Sequence, residues 1–83
     1  SSPNYFPNEI KAMDRLVIIG LFSEPMMWGE ISRPTKYKYR NMLKEIAQND
    51  ELTQHLKSSF SESAQQLKDE LDSWLLGLDV TDD

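Results

Sequence analysis

Apolar side chains recur along this chain at intervals of three and four residues, the period of an α-helix rather than a strand. The clearest stripe is Phe60, Ala64, Leu67, Leu71, Trp74 and Leu78, at spacings of 4, 3, 4, 3 and 4, with Leu75 widening it. That pattern predicts a helix with one face in the core. Ser59 and Glu62 have the spacing of a capping box, so the helix is expected to begin at Ser59. Leu52 and Leu56 precede it in phase, with Asp50 as the expected cap of a shorter helix. A break at Lys57-Ser58-Ser59 is preferred. The alternative, one helix over residues 50–78, would run about 44 Å at ~1.5 Å per residue and protrude from a domain of this size unless a dimer buried it.

Two further helices are predicted upstream. The first is expected over Asn8 to Ser23, with Asn8 as its cap and Ile10, Met13, Val17 and Leu21 on its apolar side. From Leu16 to Phe22 nearly every residue is apolar, which implies burial on all sides. Leu16-Val17-Ile18-Ile19 also reads as a short buried strand, but the residues before it keep helical phase. Pro25 ends this element. Met26, Met27 and Trp28 then lie in a loop, and Pro34 suits the first turn of a third helix that ends near Asn49. Tyr39, Met42, Leu43, Ile46 and Ala47 share its inner face. Residues 1–7, with two prolines, form an irregular arm from which Tyr5 and Phe6 can dock onto the core, and residues 79–83 a frayed acidic tail.

The expected fold is therefore an all-α, compact bundle of three to four helices in a single domain spanning residues 1–83, with dimerisation as one way to complete it. At 83 residues, 39% hydrophobic and 28% charged, the chain has globular composition. It has no cysteine, which removes disulfides and thiolate chemistry and favours an intracellular setting, cytoplasmic or nuclear. The absence of an initiator Met and of a basic-then-apolar leader fits an excised or processed piece. Its longest apolar run is far below the ~20 residues that span a bilayer, so no membrane partner is expected.

Charge is divided unevenly. Residues 1–44 hold seven Lys/Arg against four Asp/Glu, a net of +3, whereas residues 45–83 hold two against ten, a net of −8. The basic residues concentrate in Arg33-Pro34-Thr35-Lys36-Tyr37-Lys38-Tyr39-Arg40. On a helix Arg33, Tyr37, Arg40 and Lys44 align opposite Met42 and Ile46, giving an exposed aromatic among cations. That surface suits phosphate, an acidic peptide or base stacking. The order of helix, loop, short apolar turn and basic helix loosely resembles a winged-helix module, which implies Arg33 to Lys44 as the reading helix. The chain departs from that pattern because Met26 to Ser32 is short for the middle helix and no strand pair follows for a wing.

Catalytic chemistry finds little support. His55 is the only histidine, with no serine in a strained turn beside it, and Glu51 is four residues from it where the di-iron bundle motif requires three. Asp69 and Asp72 point away from the apolar stripe. Gly20, Gly29 and Gly77 form no phosphate loop, and residues 79–83 lack the glycine and distal glutamate of a calcium loop. No enzyme, cofactor, metal site or small-molecule substrate is expected. The first functional expectation is a helical protein–protein interaction module, a subunit or small regulator that binds another protein or itself, supported by four Met and two Trp in so short a chain. Its contact residues would be Arg33, Tyr37, Arg40 and Lys44, with Trp28 and Leu76 as apolar anchors. The second expectation is a nucleic-acid-binding regulator that uses the basic helix.

Overall fold

The computed structural model describes residues 5–81, with side chains described through Gly77. Four α-helices, α1 (Ala12–Ser23), α2 (Arg33–Ala47), α3 (Asp50–Ser59) and α4 (Ser61–Thr81), and a 3₁₀ segment at Pro25–Glu30 build an all-α bundle. No strand occurs among the described residues, so Leu16 to Ile19 is helical. The molecule measures 45 × 25 × 22 Å, its long axis accommodating the 21 residues of α4.

Helix α1 starts later than its sequence suggests. The Ile10 N–H donates to the Pro7 carbonyl at 3.1 Å, closing a turn, and Lys11 rather than Asn8 occupies the cap position. The turn carries the arm back over the bundle, where Tyr5, Phe6 and Ile10 all pack against the core. The apolar phase also differs. Asp14, Ile18 and Leu21 are the buried positions, while Met13 and Leu16 are exposed. A near-continuous apolar run carries almost no periodic signal, so the buried side is decided by what packs there. Asp14 can turn inward because α2 supplies a hydroxyl and an ammonium to its carboxylate.

After α1 the chain enters the 3₁₀ segment through Pro25, and this segment delivers Trp28 to the centre of the core. Trp28 is 1% exposed and packs edge-on against Trp74 of α4 at 5.4 Å between ring centroids. Trp74, expected to be a fully buried core residue, is half-buried. Helix α4 packs chiefly on the 3₁₀ segment, α1 and α3, which places Trp28 where the helical layers meet. Tyr39, Leu43 and Ile46 of α2, Leu52 and Leu56 of α3 and Leu67 of α4 complete the buried cluster. Ala47, expected on the inner face of α2, is exposed.

The junctions are resolved by specific hydrogen bonds. Asn49, not Asp50, caps α3 by accepting from the Leu52 N–H at 3.0 Å, and the Thr53 hydroxyl donates to the Ile46 carbonyl at the end of α2, which also accepts from the Asn49 N–H. Helices α3 and α4 are separate, but the break is the single residue Phe60, with φ −132° and ψ 51°. Ser59 is therefore the last residue of α3 and not a cap. Phe60 tilts against Phe22 of α1 at 6.2 Å, so tertiary packing marks the break. Helix α4 continues to Thr81, which corrects the frayed tail for residues 79–81; Asp82 and Asp83, with residues 1–4 of the arm, lie outside the described residues.

Candidate nucleic-acid interface

Helix α2 is placed by contacts at three consecutive residues. The Tyr37 ring lies edge-on to Trp74 of α4 at 5.2 Å. Lys38 and Tyr39 both reach Asp14 of α1: the Tyr39 hydroxyl donates to Oδ1 at 2.8 Å, and Lys38 Nζ lies 3.2 Å from the same oxygen. The Tyr39 hydrogen bond first, then Lys38, holds the Asp14 carboxyl below its ordinary value of 3.8. Burial, followed by the hydrogen bond to Asp14, pushes the Tyr39 phenol up to about 12. At neutral pH the pair is an ionised carboxylate and a neutral phenol, the combination in which the phenol donates.

The four candidates on α2 remain on one side of the helix, away from Tyr39, Leu43 and Ile46. Arg33 and Lys44 are exposed and Arg40 is half-buried. Tyr37 is 39% exposed, less free than its position implied, because Trp74 covers one edge and the Arg33 guanidinium carbon lies 5.9 Å from its ring centroid. A chain of contacts thus runs from Arg33 through Tyr37 and Trp74 to the buried Trp28, fixing the cationic surface against the core.

The remaining two candidates part company with this stripe. Trp28 cannot anchor a partner, since its indole is enclosed in the core; a bulky aromatic in a loop reads as an anchor only while the loop is taken to be solvated. Leu76 is 64% exposed, as its helical phase requires. It lies two residues beyond Trp74, hence about 200° around α4 and away from Tyr37. Asp14 is the site residue that sequence reasoning missed. Its spacing of four and seven residues from Ile18 and Leu21 was the available signal, since those three positions share a face.

Other polar groups engage locally. His55 stacks on Tyr5 with ring centroids 4.2 Å apart. Asp69 and Asp72 are exposed and meet Gln65 and Lys68 one turn earlier, at 3.1 and 3.2 Å. Among the described residues no group of three or more His, Asp or Glu side chains is disposed to hold a metal ion. No described helix is long and apolar enough to cross a membrane. An apolar groove of about 630 Å³ opens where α2 and α3 face α4, with Leu43, Leu56 and Leu71 in its walls.

A stretch of 64 residues, 77% of this chain, is 36% identical to a replication initiation protein of Staphylococcus aureus. Two further S. aureus proteins of the same name are 39% and 34% identical over the same length. The chain spans only about 20% of the length of each of these relatives. No protein-family model matches, and no solved structure matches. The resemblance to replication initiation proteins corrects the first functional expectation, a protein–protein interaction module, and favours the reading that assigned the basic helix to nucleic acid.

Proposed function

We propose that this chain contacts DNA through the solvent-facing side of α2, in the setting of replication initiation. The observation that carries the reading is the set of Arg33, Arg40 and Lys44 on one side of a helix whose opposite side is locked into the core. Replication initiation is a process conducted on DNA, and the name shared by the S. aureus relatives supports DNA as the partner. Cations held in fixed positions neutralise backbone phosphates and release condensed counterions, which drives association. The Arg guanidinium groups can in addition grip a phosphate or a guanine edge bidentately. Tyr37 offers the uncovered part of its ring between them. The acidic second half of the chain does not prevent this, because exposed charges are screened beyond about 8 Å at physiological salt.

In this reading the segment binds and does not catalyse, and Asp14 orients the binding helix by holding Lys38 and Tyr39 on its other flank. The relatives are bacterial, which favours the cytoplasm over a nucleus. Titration of duplex and single-stranded DNA, followed by fluorescence anisotropy across a range of salt concentrations, tests the proposal. Affinity should fall with salt. Arg40→Glu combined with Lys44→Glu should reduce the slope of log affinity against log salt by roughly two on duplex DNA, since each phosphate contact contributes about 0.9. Tyr37→Ala should cost less than the charge reversals. Helix content should stay unchanged in both variants. Absence of binding to either DNA at low salt would remove the reading.

A further inference from the structure

Two helices of opposite charge meet at an aromatic pair. Helix α2 holds five Lys/Arg against one Glu, a net of +4, and α4 holds five Asp/Glu against one Lys, a net of −4. They touch where the Tyr37 ring stands edge-on to Trp74, at 5.2 Å and 69° between ring planes. Trp74 meets the buried Trp28 in the same manner, at 5.4 Å and 75°. Successive edge-on contacts hold each ring in a defined orientation. Tyr37 is thus anchored to the core and still 39% exposed. Arg33 and Arg40 lie one turn before it and one turn after it, about 10 Å apart along the helix axis. On the other side of the contact, Glu70 lies one turn before Trp74 on the same side of α4.

We propose that Tyr37 stacks on an unpaired base of single-stranded DNA, with Trp74 as the residue that positions its ring. The inference rests on the reading that α2 contacts DNA, and it names the form of DNA that the site favours. A base presents an uncharged π-face, whereas the phosphate beside it is anionic. At the boundary between the two helices phosphate is drawn to Arg33 and Arg40 and repelled by Glu70. A strand that follows α2 therefore turns its bases toward the aromatic pair. A duplex offers no such division, because its bases stack on one another and phosphates line both rims of each groove, so that one rim falls on the acidic side. Rigid support adds to the preference: a ring already held by Trp74 loses little rotamer freedom when a base covers it. Tyr39, the neighbouring tyrosine, has no such role, since its ring is buried and its hydroxyl is engaged by Asp14.

Anisotropy titrations with three labelled probes test this: an oligothymidylate of about 12 nucleotides, an abasic strand with the same number of phosphates, and a duplex of the same length. The parent should bind oligothymidylate about tenfold more tightly than the abasic strand, and more tightly than the duplex. Tyr37→Ala should abolish the advantage of thymidylate over the abasic strand while changing affinity for the abasic strand and the duplex by no more than about twofold. Tyr37→Phe, which keeps the ring, should retain that advantage. Trp74→Leu should shrink it without a change on the abasic strand, as expected of a residue that acts through Tyr37. The comparison of probes on the parent needs no variant to fold, and unchanged binding of the abasic strand shows that each variant keeps its cationic surface in place. Equal affinity of the parent for the thymidylate and abasic strands, tighter binding of the duplex, or an equal loss on all three probes in Tyr37→Ala would overturn the inference and leave the DNA reading standing. Binding to none of the three would remove both.

Discussion

One tryptophan and one tyrosine–aspartate pair contribute to the stability of this fold by different physics. Trp28 contributes through packing. Its Nε1–H is buried without an acceptor among the described residues, so the indole is held by apolar contact and by the edge-on Trp74 ring. Trp28→Ala should cost ~3–5 kcal/mol in a urea titration, and Trp28→Phe markedly less because it retains an aromatic ring and discards the unpaired donor. Trp74→Ala should cost less than Trp28→Ala, because Trp74 is only partly buried whereas Trp28 is fully enclosed. Tyr39 and Asp14 contribute through protonation. Folding raises the Tyr39 phenol from 10.0 to about 12, so its contribution is complete below pH 10 and is lost as pH rises from 10 through 12. Folding lowers the Asp14 carboxyl, so its contribution is complete above pH 3.8 and is lost as pH falls below that value. Unfolding free energies of the parent and Tyr39→Phe, measured from pH 8 to 12, should converge as pH rises. A constant difference between the two would show that the phenol does not titrate in this contact.

At the scale of elements, the ends and the faces of the helices were unequally legible. The faces of α2 and α4 followed their apolar stripes because polar residues separate the apolar ones: Leu43, Ile46 and Leu67 lie inward, and Leu76 outward. The face of α1 did not follow its pattern, because its run of aliphatic residues offers several equivalent apolar sides. Caps shifted by one residue at α3 and by three at α1, where Lys11 supplies no side-chain hydrogen bond. Asn49 takes the cap at α3 in place of Asp50, and Asn49→Ala should destabilise the protein by ~1 kcal/mol in chemical denaturation, with Asp50→Ala costing less. Phe60 sets the α3–α4 break although the flanking serines are the more ordinary terminators. The reason is the contact with Phe22, a residue 38 positions earlier in the chain.

Across the whole molecule, charge is the property with the longest reach. A formal net of −5 opposes approach to DNA at low ionic strength, where the screening length is about 30 Å at 0.01 M, comparable with the molecule itself. Asp69 and Asp72 are exposed on α4, so Asp69→Asn with Asp72→Asn should raise DNA affinity at low salt and have almost no effect at 0.15 M, where screening acts within about 8 Å. An equal gain at both salt concentrations would mean that α4 itself touches the nucleic acid. The same experiment separates steering by the whole molecule from contact by α2.

Periodicity, proline placement and composition were enough to establish an all-helical bundle, the inner faces of α2 and α4, the division of residues 50–78 into two helices and the alignment of Arg33, Tyr37, Arg40 and Lys44. Each of these depends on neighbours within one or two turns, which a linear pattern records directly. The burial of Trp28, the inward turn of Asp14, the partial covering of Tyr37 by Trp74 and the bare face of α1 depend on pairs 25 to 46 residues apart, or on the lack of such a pair. No local pattern encodes these pairings. They are chosen when a 3₁₀ segment, two tyrosines and a tryptophan compete for the same interior, and the favoured arrangement buries apolar surface while keeping the inward Asp14 carboxylate hydrogen-bonded.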